Sequence, residues 1–138
     1  PGLDLEQAPL VAARVSETIK QGLVRSCHDC SEGGLAVAMT EMAFAGNLGI
    51  EASLDEMPIG DDCDSPDIRL FSESNSRYVV EVAPQNKDGF EKLLGSVAFA
   101  RIGTVTDTKT AKITSAGKAV IEQPLEALKQ AWQKTFDW

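Results

Sequence analysis

SCHDCSEGGLAVAMTEMAFAG, residues 26–46, sets polar chemistry directly against a helix start. Its first half brings His28, Asp29, Ser31 and Glu32 up to Gly33 and Gly34, and its second half is an Ala- and Met-rich helix. Ser31 has the side chain of an N-cap, because its hydroxyl can accept from an amide two or three residues on. The glycines then fall in the first turn, whose N–H groups lack partners within the helix. Without Cβ atoms they let a ligand approach the backbone. Partial positive charge at the helix start makes phosphate or carboxylate the expected guest. The same letters also spell a tight turn with a capped helix, and pattern alone leaves both readings open.

Upstream, Val11, Val15, Ile19 and Leu23 repeat every four residues and predict a helix over 8–23. A short buried strand, 24–28, leads from it to the glycines. Downstream, the helix from Gly34 to Ala45 carries Leu35, Ala38, Met39 and Met42 on one face and stops at Gly46-Asn47. Residues 49–54 alternate as a half-buried strand. The acidic loop 55–67 holds six carboxylates and no Lys or Arg. It could bind Mg²⁺ or Ca²⁺, but its spacing fits no EF-hand, which favours a solvated loop. Ser65-Pro66 is an N-cap with Pro at the first helical position, opening a short helix through Phe71.

A strand over 76–82, a helix over 86–97 with Phe90, Leu93, Leu94 and Val97 inward, and a strand over 100–106 follow. Residues 112–115 and 118–122 flank Ala116-Gly117 as a hairpin. Pro124 opens a last helix whose apolar face is Leu125, Leu128, Trp132 and Phe136. This order predicts an α+β fold, an α/β sandwich of one mixed sheet with helices packed on it, as a single domain over 1–138.

Composition narrows the function classes. With 138 residues and 43% hydrophobic content the chain can build one core. A net charge of −8 argues against non-specific nucleic-acid binding. No apolar run reaches a membrane span, and no signal peptide is visible. The start at Pro1 predicts a processed or excised fragment. Three cysteines, an odd number, fit free thiols in a reducing compartment, hence a cytoplasmic location. Cys27 and Cys30 form a C-x-x-C, yet zinc would want a second pair and His28 is the sole histidine. Buried thiols are the expectation.

The motifs HDCSEGGLAVAMTEMAFAG (28–46), LFSESNSRYVVEV (70–82) and RIGTVTD (101–107) resemble the C-terminal domain of the aminoimidazole ribonucleotide (AIR) synthase-related superfamily. Within it the chain is most similar to the phosphoribosylformylglycinamidine synthases. The likeness runs on to GKAVIEQPLEALKQAWQKTF, residues 117–136. It implies the last domain of a longer synthetase chain, its second structural repeat. The implied reaction is ATP-dependent conversion of formylglycinamide ribonucleotide, with glutamine-derived ammonia, to the amidine. ATP and Mg²⁺ are the implied cofactors, held mainly by N-terminal synthetase domains. A glutaminase domain or subunit is the implied ammonia source. Neither nucleic acid nor membrane is an expected partner.

By the resemblance, Ser31, Gly33 and Gly34 contact phosphate or ribonucleotide at an interdomain cleft. His28, Ser74 and Arg77 join that site, and Asp29 and Glu32 help hold Mg²⁺ through water. Each has a plainer reading: a hydrogen bond ordering the turn for Asp29, a structural hydrogen bond for His28, and pairing with Glu73 or Glu81 for Arg77. The chain has no Walker-type loop and no Lys beside the glycines, so it should supply one wall of a cleft and be inactive alone. Other readings are a sister enzyme (aminoimidazole ribonucleotide synthetase, selenophosphate synthetase or thiamine-phosphate kinase), a non-catalytic ligand-binding module, or a zinc or redox module on Cys27 and Cys30.

Overall fold

The structure, a computed structural model, describes residues 4–60 and 63–134. Its elements are α1 (Gln7–Lys20), β1 (Val24–Asp29), α2 (Gly34–Gly46), β2 (Gly49–Ser53), α3 (Pro66–Phe71) and β3 (Tyr78–Val82). After a 3₁₀ turn come α4 (Lys87–Leu94), β4 (Gly103–Thr106), β5 (Thr110–Ser115), β6 (Lys118–Pro124) and α5 (Leu125–Lys134). Helices on a mixed sheet make the expected α+β architecture.

The strands divide into two sheets rather than one. β4-β2-β5-β6 form the mixed sheet, with β2 parallel to β5 and antiparallel neighbours at both edges. β1 and β3 pair antiparallel in a separate ribbon, Cys27 opposite Val80. The cause lies in α2. Gly34, Leu35, Ala36, Ala38, Met39 and Ala43 are all buried, so the helix needs cover on several sides rather than one. It meets both sheets, α3 and α5. The mixed sheet brings Ile50, Ala52, Leu54 and Ile113 to it, and α3 and α5 add Leu70 and Leu125. A second core joins Phe90, Leu94 and Val97 to Leu10, Val11, Leu23, Val80 and Val82.

Element ends differ from expectation where the chain turns left-handed. Gly22, at φ 70°, follows the end of α1, so Leu23 leaves the helix and packs in the second core instead. Gly95, at φ 62°, ends α4 three residues early, and Val97 is buried beyond it. Ser76, at φ 63°, delays β3 to Tyr78, and β4 starts only at Gly103. The β5–β6 turn is as expected, with Ala116 and Gly117 at φ 49° and 72°. Phe136, Asp61 and Asp62 lie outside the described residues. No helix among those residues is long and apolar enough to cross a membrane.

Candidate functional site

Gly33 is the N-cap of α2, left-handed at φ 75°, and Gly34 opens the helix at φ 63°. Ser31 is therefore not the cap. Its hydroxyl donates to the Asp29 carboxylate and accepts from no amide at the start of α2. Its carbonyl takes the Gly34 N–H at 3.0 Å. That hydroxyl, with Asp29's own backbone N–H, holds the Asp29 carboxyl below its usual range.

What approaches Gly34 closely is the chain itself. A Cβ there would stand 2.7 Å from the Ser72 carbonyl oxygen, 2.8 Å from that of Leu70 and 2.9 Å from the Phe71 carbonyl carbon. The C-terminal end of α3, with its outward carbonyls, thus abuts the N-terminal end of α2. Their dipoles meet head to tail.

Arg77 fixes the other side of that contact. Its guanidinium donates to the Ser72 carbonyl at 3.0 Å, the Ser72 hydroxyl at 2.8 Å and the Arg69 carbonyl at 3.1 Å. It is a C-terminal clamp on α3, and it pairs with neither Glu73 nor Glu81. Glu81 accepts from the Ser26 hydroxyl at 3.0 Å and faces Arg25 at 3.6 Å. Glu73 accepts the Gly33 N–H at 2.9 Å. A carboxylate therefore sits on the amide where an anionic guest was expected. Ser74 is half-buried on the same loop, and Glu32 is exposed beside Gly33. Ser65 caps α3 as its sequence predicts, accepting the Ile68 N–H.

His28 turns the other way, toward α2. Nδ1 lies 2.7 Å from the Asp29 carbonyl oxygen and Nε2 lies 2.9 Å from a Glu41 carboxylate oxygen. Both partners only accept, so both nitrogens bond as donors when the ring is charged. The Asp29 carbonyl, and after it Glu41, raise the His28 pKa against a desolvation that lowers it. The other Glu41 oxygen accepts from the Trp132 indole at 2.7 Å, and the Trp132 ring packs on Phe44 at 5.7 Å. One carboxylate thus links β1, α2 and α5. Nothing in the sequence pairs these three residues, although Glu41 stands out as the one charged residue of α2.

The raised pKa has a pH consequence. The charged ring's contribution is complete below the unfolded value near 6.5 and is lost as pH rises through the higher folded value. Urea unfolding of wild type and His28→Gln should show the wild-type advantage shrinking, by under about 1 kcal/mol, from pH 6 to pH 8. A gap constant across that range would refute the charged pairing.

Among the described residues no three His, Cys, Asp or Glu side chains group as a metal site. Asp29 and Glu32 offer a metal ion two carboxylates at most, one already taken by Ser31. Such a pair would suit only a hydrated cation such as Mg²⁺ completed by water or by ligands from elsewhere, and it makes no cage among the described residues. Cys27, Cys30 and Cys63 are free, and burial pushes the Cys27 and Cys30 thiols up. Inert thiols match that environment better than a redox pair does.

The family described as AIR synthase related protein, C-terminal domain, matches residues 3–115. The chain belongs to this family. The Caldanaerobacter subterraneus phosphoribosylformylglycinamidine synthase subunit PurL is 36% identical across the whole chain. This AIR synthase-related domain spans 18% of that relative's length. The fold is that of Thermotoga maritima PurL solved with FGAR, at TM-score 0.83 and 24% identity over 91% of this chain and 21% of that one. The same Thermotoga protein has been solved with ATP, at TM-score 0.79 and 25% identity, and in an assembly called PurLQS.

Proposed function

We propose that this domain forms one wall of the substrate cleft in a phosphoribosylformylglycinamidine synthase. That enzyme converts formylglycinamide ribonucleotide and ammonia to the amidine at the expense of ATP. The observation that carries the reading is the PurL likeness along the entire chain. The cleft wall is the Ser31–Gly34 turn together with the Glu73–Ser74 loop. The ribonucleotide phosphate takes over the Gly33 N–H, and Glu73 withdraws from it. Ser31 and Ser74 offer hydroxyls alongside. ATP, with Mg²⁺, supplies the phosphoryl group that activates the amide oxygen, and it is bound mainly by preceding domains. Ammonia comes from a glutaminase partner. Asp29 and Glu32 face bound Mg²⁺ through water. His28 and Arg77 hold the frame, His28 through Glu41 and Arg77 through α3.

The test uses the full-length polypeptide. ATP consumption should require both formylglycinamide ribonucleotide and an ammonium salt. Glu73→Gln, a weaker competitor for the Gly33 amide, should lower the KM for the ribonucleotide several-fold with kcat little changed. ATP use indifferent to the ribonucleotide would point instead to a sister enzyme of the family. No ATP use would leave a non-catalytic module.

A further inference from the structure

We propose that Trp132 and Glu41 are positioning residues for ribonucleotide binding: acting through His28, they set the turn that receives the substrate, although both lie outside it. This rests on the reading of the Ser31–Gly34 turn as the cleft wall.

Five hydrogen bonds, joined residue to residue, run from α5 to the first turn of α2. The Trp132 indole donates to one Glu41 oxygen at 2.7 Å, and the other Glu41 oxygen lies 2.9 Å from His28 Nε2. His28 Nδ1 lies 2.7 Å from the Asp29 carbonyl oxygen. The Asp29 carboxylate accepts from the Ser31 hydroxyl, and the Ser31 carbonyl accepts the Gly34 N–H at 3.0 Å. Helix α2 closes this path into a ring, because Gly34 and Glu41 both belong to it. Seven residues of helix make a stiff rod roughly 10 Å long. The ring therefore ties the end of β1 to the start of α2, and so fixes the aim of the Gly33 N–H.

Glu41 suits this task. A carboxylate on an apolar helix is costly to bury unless its oxygens are bonded, and both are. Its side chain is 26% exposed, and among the described residues it makes no hydrogen bond to the turn itself. Trp132 is 48% exposed, and its ring packs on Phe44 at 5.7 Å. That contact holds the indole with its N–H toward Glu41.

The test uses the full-length polypeptide carrying Trp132→Phe, Glu41→Ala or both. Trp132→Phe leaves a ring to pack on Phe44 and removes the indole donor. It should raise the KM for the ribonucleotide about two- to threefold, and Glu41→Ala about five- to tenfold, with kcat and the KM for ATP moved less than about twofold. The double variant should match Glu41→Ala, since Trp132 acts only through Glu41. A second readout needs no substrate: deuterium exchange over residues 29–34 should be faster in every variant. Faster exchange confined to α5 would overturn the proposal. So would a lower kcat with the ribonucleotide KM unmoved, a raised KM for ATP, or additive effects in the double variant. Should Glu41→Ala fail to fold, the KM and exchange pattern of Trp132→Phe decide. Wild-type polypeptide lacking ribonucleotide-dependent ATP consumption would lose the synthetase reading alone, because exchange over 29–34 still reports whether the turn is held from α5.

Discussion

Gly34→Ala lowers the melting temperature of this domain by roughly 10 °C. Two costs combine. A residue with a Cβ held at φ 63° loses about 1–2 kcal/mol to the left-handed backbone. The new methyl also meets two backbone atoms of α3 and one of Ser72 just beyond it, all under 3 Å away. Backbone cannot swing aside as a side-chain tip can, so α2 and α3 must part, at about 1–3 kcal/mol. Gly22→Ala is the internal control: φ is 70° but nothing lies within 4 Å of the added carbon, so only the first cost applies. Thermal unfolding followed by circular dichroism compares the two. Equal losses would mean that the approach of α3 to Gly34 does not exist in solution.

Arg77→Met is the second large effect, about 2–3 kcal/mol by urea unfolding. It strips a charged donor from two carbonyls and a hydroxyl, all partly buried. The loss should be local as well as global: amides of α3 should exchange with deuterium far faster in the variant. Arg77→Lys should recover little, because one ammonium cannot span the Ser72 and Arg69 carbonyls as a planar fork does. Full stability in the lysine variant would show that charge alone, not the fork, is what matters here.

These two residues show what was legible in the sequence and what was not. Period and punctuation are local properties, so α2, the Ser65 cap and the Ala116-Gly117 hairpin could be read directly. The glycine pair announced a close approach, but not by what. The answer, the C-terminal end of α3, lies some forty positions downstream and leaves no trace near the glycines. Arg77 was legible as a cation beside serines; that its acceptors are helix-end carbonyls follows from where α3 stops. Glu73 reaching Gly33 and Glu41 joining His28 to Trp132 depend on how α2 sits between two sheets. That placement follows from burial on all sides of one helix, which periodicity alone did not distinguish from a one-faced stripe.

The parallel pairing of β2 with β5 sets the order in which the chain can assemble. Cys27 waits for Val80, and Ile50 waits for Val105 and Ala111. The β5–β6 hairpin is the local pairing, and it is made last from the ribosome. Helix α2 therefore emerges early, apolar on several sides, and with β1 and α3 already available to it stays partly uncovered until β5 and α5 have been synthesised. Closing such distant loops first is slow, on the order of milliseconds to seconds. During that interval the Ala- and Met-rich helix is the surface most open to chaperones and to unwanted association.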